Sequence, residues 1–242
     1  MLRPALDLPP PYRPVALREA GDAFVHACRI AAQEGAGTLV WVGRADVAEF
    51  AIVLEPAEPL ASARRAFFAG MNAVGDAIGA TCPPEKEVTF DWPDAIRLDG
   101  GLIGGGRLGW PKRAAEDAPP QWLVFAAMVR TMLITLLEPG HAPNATAMLE
   151  EGLDDADAAA LIESASRHFM VALDTWQEKG FQPVGERYLA RLAGRKDGVR
   201  RGLAPDGDLI VGGDPAMAAR HAVMPALRTP TWLDPRTGMP WL

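Results

Sequence analysis

The sequence predicts an α+β protein, because stretches typical of strands and stretches typical of helices both occur along its 242 residues. Residues 37–43 and 49–54 are short apolar runs rich in β-branched residues, which is typical of buried strands. Residues 58–80 and 153–179 carry apolar side chains at helical spacing. With 49% hydrophobic and 23% charged residues, the chain is long enough for one medium-sized core with a small appendage.

The remaining main-body elements follow from similar patterns. Residues 1–14 are rich in proline and predict an extended lead-in. Residues 18–34 predict a helix with Asp22 as its N-cap. Residues 122–137 are almost continuously apolar, as expected for a central strand covered on both faces. Arg130 is the one charge in that run, and it either points outward or needs a partner inside.

Composition excludes several classes of protein. The net charge is −7, and the Lys/Arg pairs are too short to predict a nucleic-acid partner. No apolar run approaches the roughly 20 residues that span a bilayer, so no membrane partner is expected. An early aspartate and proline cluster argue against a signal peptide, and two cysteines suit a reducing compartment, which together predict a cytoplasmic location. The four histidines are scattered, so we expect no metal site.

The most informative stretch is residues 88–108. Two short strand-type runs, 88–92 and 96–98, are followed by Asp99-Gly100-Gly101, which predicts a hairpin turn because glycine accepts positive φ. Three glycines, Gly104, Gly105 and Gly106, come next. Their spacing favours a β-bulge, while the alternative is a backbone that a ligand approaches closely, with amides facing an anion.

The residues of this stretch resemble the biotin/lipoate A/B protein ligase superfamily, and biotin protein ligases in particular. Those ligases carry Lys-Trp-Pro-Asn-Asp, a strand, a turn, and Lys-x-x-Gly-Ile-Leu. This chain has Asp91-Trp92-Pro93-Asp94-Ala95 and then Leu102-Ile103-Gly104-Gly105-Gly106 at the same spacing. A second match is Gly180-Phe181-Gln182-Pro183, which follows a helix and precedes a short helix. Together the matches cover most of residues 15–192.

The resemblance implies a fold, a ligand and partners. The fold would be a mixed β-sheet covered by helices, related to class II synthetases, over residues 1–192. Residues 193–242 would form a small C-terminal β-rich appendage, with a hairpin turning on residues 205–207 and an extended arm. The ligand would be a small carboxylate or acyl group of the biotin, lipoate or fatty-acyl type. ATP and Mg²⁺ are possible cofactors, a biotinyl or lipoyl carrier domain is a possible partner, and a homodimer is a possible assembly.

The chain departs from the family pattern where adenylation needs positive charge. Adenylating a carboxylate brings two anions together, so cations carry most of the catalysis. The two lysines of the family motif fall on Asp91 and Leu102, and its Asn-Asp pair falls on Asp94-Ala95. The long Gly-Arg-Gly-x-x-Gly loop of the family is reduced to Gly43-Arg44 and a short turn. We therefore expect adenylation to be weak or absent.

Other residues could supply the missing charge and line the pocket. The candidate catalytic residues are Lys112 and Arg107. The candidate ligand-binding residues are Trp92, Asp91, Asp94, Gly104, Gly105, Gly106, Arg130 and Arg44. Because a buried arginine needs an anion, we expect Arg107 and Arg130 to line the pocket and to pair with Asp91 or Asp94. We also expect Gly105→Val to block the pocket without unfolding the protein.

Two functions stay open at this point. One is an active ligase or acyl transferase of the biotin/lipoate type, which the predicted fold favours. The other is a non-catalytic protein that binds the ligand or its carrier domain, which the missing lysines favour. A protein–protein scaffold is a third alternative, with weak support from Trp232 and Trp241 near an exposed C-terminus.

Overall fold

The computed structural model describes residues 6–19, 21–134, 144–153, 156–194, 197–212 and 217–242. Seven strands form the central sheet: β1 (Arg13–Leu17), β2 (Thr38–Val42), β3 (Val47–Leu54), β4 (Val88–Asp91), β5 (Ala95–Leu98), β6 (Gly101–Gly109) and β7 (Leu123–Arg130). They lie in the order β1-β2-β3-β7-β6-β5-β4. β1 pairs with β2 in parallel, and the other neighbours are antiparallel. The predicted mixed sheet is therefore confirmed.

Helices cover both faces of this sheet. They are α1 (Ala23–Glu34), α2 (Leu60–Ala63), α3 (Ala66–Gly79), α4 (Ala158–Lys179), α5 (Gln182–Arg191) and α6 (Met224–Arg228). The alanines of α1 pack on one face, against valines and alanines of β2, β3 and β7. On the other face, α3 and α4 bury an aromatic core in which Phe125 contacts Phe67 and Phe169 at ring-centroid distances of 6.2 and 5.4 Å.

Several boundaries differ from the sequence prediction. The single helix predicted over residues 58–80 is two helices, which separate at Arg64 and Arg65. α4 begins at Ala158, with Asp157 as the N-cap, and residues 154–155 of the predicted helix lie outside the described residues. Strand β1 was not predicted, because this edge strand is largely exposed and lacks an apolar alternation.

The C-terminal part packs back onto the main body. Strands β8 (Arg201–Leu203), β9 (Leu209–Val211) and β10 (Ala219–His221) form a small antiparallel sheet, and the predicted turn lies between β8 and β9. After α6, residues 229–242 form an arm that contains two short strands, β11 (Leu233–Asp234) and β12 (Met239–Pro240). Trp232 in this arm is only 1% exposed. The suggestion that Trp232 is an exposed contact for another protein is therefore wrong.

None of the helices in the described ranges is both long enough and apolar enough to cross a membrane.

Candidate functional site

A row of paired residues crosses the α1 face of the sheet. Met128 on β7 pairs with Glu49 on β3 and with Gly105 on β6, and Gly105 pairs in turn with Ala95 on β5. Directly paired residues point to the same face of a sheet, so these four share the α1 side. Gly105 and Ala95 add almost no bulk, and the row therefore forms a shallow slot at the β5–β6 end.

The indole of Trp232 fills this slot. A Cβ built on Gly105 would lie 2.3 Å from Cδ1 and 2.4 Å from Nε1 of Trp232, so the ring rests directly on the glycine backbone. Its Nε1–H donates to the carbonyl of Gly106 at 3.1 Å. Four further buried apolar side chains surround the ring: Val47, Ala95, Leu102 and Met128. We call this space the Trp232 slot.

Two charged residues of the main body hold the arm in place. Asp94 is fully buried and accepts hydrogen bonds from the backbone N–H of Thr231 at 2.9 Å and from its hydroxyl at 2.6 Å. Burial raises the pKa of Asp94 to about 6, against the opposing effect of these bonds. Arg130 donates to the carbonyls of Pro240 at 2.8 Å and Trp241 at 3.3 Å. Asp94 and Arg130, which the sequence predicts to bind the ligand, therefore both bind the arm.

A second charged cluster lies at the N-terminus of α1. Arg107 stacks over the ring of Phe24 at 3.9 Å and lies 3.7 Å from a carboxylate oxygen of Asp22. Glu49, which is 3% exposed, accepts from the backbone N–H of Ala23 at 2.7 Å. Burial raises the pKa of Glu49 to about 7. The cluster thus places a carboxyl that titrates near neutrality beside a buried guanidinium.

A cavity of about 960 Å³ opens beside the slot, between the ends of β3 and β7 and the arm. Arg44 and Arg130 line it, and Val47 and Met239 border both this cavity and the Trp232 slot. Arg44 makes a two-pronged ion pair with Asp46, at 2.7 and 2.5 Å. We call this space the arginine cavity. Its guanidiniums could receive a carboxylate whose apolar part lies in the slot.

The predicted pairing of Arg107 and Arg130 with Asp91 or Asp94 is wrong. Asp91 instead accepts from Arg97 at 2.6 Å, because the two stand close together across the β4–β5 hairpin. Arg107 pairs with Asp22, and Arg130 donates to carbonyl oxygens. Arg107 and Arg130 lie in different rows of the sheet and do not converge on one site.

Two further candidates lie outside the slot. Trp92 stacks on Phe68 at 5.9 Å and meets Tyr188 edge-on at 6.1 Å, so it belongs to the aromatic core on the α3 side. Lys112 is exposed in the loop after β6. Neither residue therefore lines the Trp232 slot or the arginine cavity.

The bulge predicted from the sequence lies beside the glycine run, and the group that approaches the run closely belongs to the protein itself. The register shifts where Ile96 pairs with Gly104 and Arg97 with Leu102, which leaves an extra residue, Ile103, on β6 as a bulge. At Gly105 the backbone is also approached closely. A Cβ there would lie 2.2 Å from the carbonyl oxygen of Asp94 as well as against Trp232. Gly105→Val would therefore crowd the hairpin backbone, and we expect it to destabilise the fold as well as to fill the slot.

Sequence reasoning missed two residues that shape the site. Glu49 carried a signal, since it is a charge within an otherwise apolar strand that the sheet pairing buries. Trp232 carried none that was local, because its hydrogen bond to Gly106 spans 126 residues. In the described part of the chain, no group of three or more His, Cys, Asp or Glu side chains is placed to hold a metal ion.

This fold and this site can now be set beside known proteins. The model of the Biotin/lipoate A/B protein ligase family matches residues 8–190. The chain therefore belongs to this family. A biotin–[acetyl-CoA-carboxylase] ligase from Paracoccus denitrificans is 27% identical over 226 residues, which cover 86% of this chain and 89% of that protein.

Solved structures show the same architecture. A biotin protein ligase-like protein of unknown function from Silicibacter sp. superposes with a TM-score of 0.78 at 26% identity, covering 92% of this chain and 99% of that one. Biotin protein ligase from Aquifex aeolicus has a TM-score of 0.68 at 14% identity, covering 87% and 95%. At that identity the second likeness shows the fold alone.

Proposed function

We propose that this protein is a divergent member of the family that binds a small carboxylate or acyl ligand of the biotin, lipoate or fatty-acyl type. In this proposal the apolar part of the ligand lies in the Trp232 slot and its carboxylate lies in the arginine cavity. The supporting observation is that Val47 of the main body borders both spaces. The cavity brings Arg44 and Arg130 together with Asp46 and Asp234, so a ligand carboxylate would compete with these acids for the guanidiniums.

We further propose that adenylation is weak or absent. The residues do not fit an acyl-adenylate. Leu102, where the family motif has a lysine, packs in the apolar cluster around Trp232. The segment between β2 and β3 is only residues 43–46 and supplies a single arginine, Arg44. Arg44 can exchange Asp46 for one ligand carboxylate, but the two lysines and the long loop that would surround a reacting phosphate are missing.

The second candidate function is a non-catalytic protein that holds the ligand or a carrier domain. The same substitution at Leu102 favours it, because an apolar side chain suits a binding slot but not phosphate chemistry. The two candidates differ in one measurement. Pyrophosphate exchange with ATP and biotin, lipoate or octanoate should run far below the rate of an active biotin protein ligase measured in parallel. Exchange at the control rate would contradict the non-catalytic reading.

Arg44→Gln tests where the ligand binds. Calorimetric titration should show roughly tenfold weaker binding of a carboxylate ligand, as expected for loss of a charge-assisted hydrogen bond. The uncharged amide of the same ligand should bind wild type and variant alike. Arg113→Gln, in the exposed loop after β6, is the matched control and should change neither. Equal carboxylate affinity in wild type and Arg44→Gln would place the site elsewhere.

A further inference from the structure

The ring in the Trp232 slot belongs to the protein itself. We propose that the arm, residues 229–242, is an intramolecular competitor that must leave before a ligand binds in the slot. This inference rests on the proposed function for the location of the ligand. It goes beyond that function by naming the step that controls access.

The slot is built to hold a ring. Trp232 is among the largest fully buried side chains of the protein, although it comes from the last dozen residues of the chain. Gly105 and Ala95 make room for its flat face, and the carbonyl of Gly106 accepts its N–H at 3.1 Å. A buried N–H is costly to leave without an acceptor, so the carbonyl position sets a chemical requirement as well as a shape.

The arm is attached in a way that permits release. β11 and β12 pair with each other and form a sheet separate from the central one. Within the described chain, the backbone–backbone hydrogen bonds of the arm close inside it or onto α6. Its polar links to the main body run through single side chains or the indole: Thr231 to Asp94, Arg130 to Pro240 and Trp241, Arg44 to Met239, and Trp232 to Gly106. Release therefore breaks no strand pairing of the central sheet.

Trp232→Ala is the direct test, with calorimetric titration of biotin, lipoate and octanoate into the full chain. A competitor lowers apparent affinity by the fraction of molecules in which the slot is open, so removing it raises affinity. We expect whichever of these acids binds to bind Trp232→Ala about tenfold more tightly than it binds wild type. Pro235→Ala, at an exposed turn position of the same arm outside the slot and the arginine cavity, is the control and should leave the affinity unchanged.

Thr231→Val is the second variant, because it loosens the anchor on Asp94 without altering the slot. It should raise the affinity for the same acid, and it serves if Trp232→Ala does not fold. Equal affinity in wild type and both variants overturns the inference.

Free indole separates the two levels of argument. If no acyl ligand binds any variant, the proposed function fails. The slot is then judged by indole alone, measured as the rise in melting temperature that a ligand of the native state produces. Stabilisation of Trp232→Ala, but not of wild type, supports a ring site that the arm fills. No stabilisation of Trp232→Ala overturns it.

Discussion

Glu49→Gln should change how stability depends on pH. In the folded protein Glu49 is buried against the N-terminus of α1, and its pKa is raised from 4.5 to about 7. A carboxyl with a raised folded pKa favours folding fully below its unfolded pKa, and that stability is lost as pH rises through the folded pKa. The window for Glu49 therefore runs from about pH 4.5 to pH 7.

The size of the effect follows from the shift. A difference of roughly 2.5 pKa units corresponds to about 3 kcal/mol at 1.36 kcal/mol per unit. Glutamine keeps an oxygen that can accept from the N–H of Ala23 and carries no charge, so it stands in for the protonated carboxyl. At pH 5 the two proteins should be about equally stable. At pH 8 Glu49→Gln should be more stable by a few kcal/mol at most.

Urea unfolding followed by circular dichroism at pH 5, 6, 7 and 8 measures this directly. Glu116→Gln is the comparison of opposite sign, because the hydrogen bond from Arg64 lowers the pKa of Glu116. That variant should lose stability at neutral pH and approach wild type as pH falls through the lowered pKa. If the stability difference between wild type and Glu49→Gln is the same at pH 5 and pH 8, the burial argument for Glu49 is refuted.

Two further substitutions test the packing around the site. Gly104→Ala should destabilise the protein by several kcal/mol, because the added Cβ would lie 1.9 Å from the carbonyl oxygen of Met128. Gly202→Ala is the control and should be nearly neutral, since nothing lies within 4 Å of its Cβ position. Urea unfolding compares the two variants, and equal stabilities would contradict the close approach at Gly104. Tyr188→Phe should lower the free energy of unfolding by about 1–3 kcal/mol. The buried Tyr188 hydroxyl donates to the carbonyl of Pro93 at 2.8 Å, and its removal leaves that carbonyl without a donor. An unchanged unfolding midpoint would show that the carbonyl finds another donor.

Much of the fold could be predicted from the sequence because it is locally encoded. The hairpin turn is an example, since Asp99 and Gly100 both adopt positive φ, at 49° and 84°, as Asp-Gly sequences favour. The N-cap of α1 is another, with Asp22 accepting from the N–H of Val25. The strand order had no such local signal, and the family resemblance predicted only a mixed sheet covered by helices.

The candidate site was harder to predict because its contacts are distant in sequence. Charge patterning singled out Arg130 but left open whether it points outward or is buried, and it is 4% exposed. Its partners could not be found from sequence, since backbone carbonyls of the arm carry no residue signature. The prediction that carboxylates would pair with Arg130 assumed that only side chains compensate a buried cation, and carbonyl dipoles also do so.

The lost lysine and the docked arm belong to one rearrangement. Leu102 stands where the family motif has lysine, and it packs in the same buried cluster as Trp232. A lysine there would place its ammonium against the indole, where burial without a partner is costly. Leucine removes that cost and lets the arm close over Gly105. The substitution on which the proposed loss of adenylation rests is thus also the one that makes the slot apolar enough for a ring. Restoring the charge by Leu102→Lys should for that reason loosen the arm before it restores any chemistry.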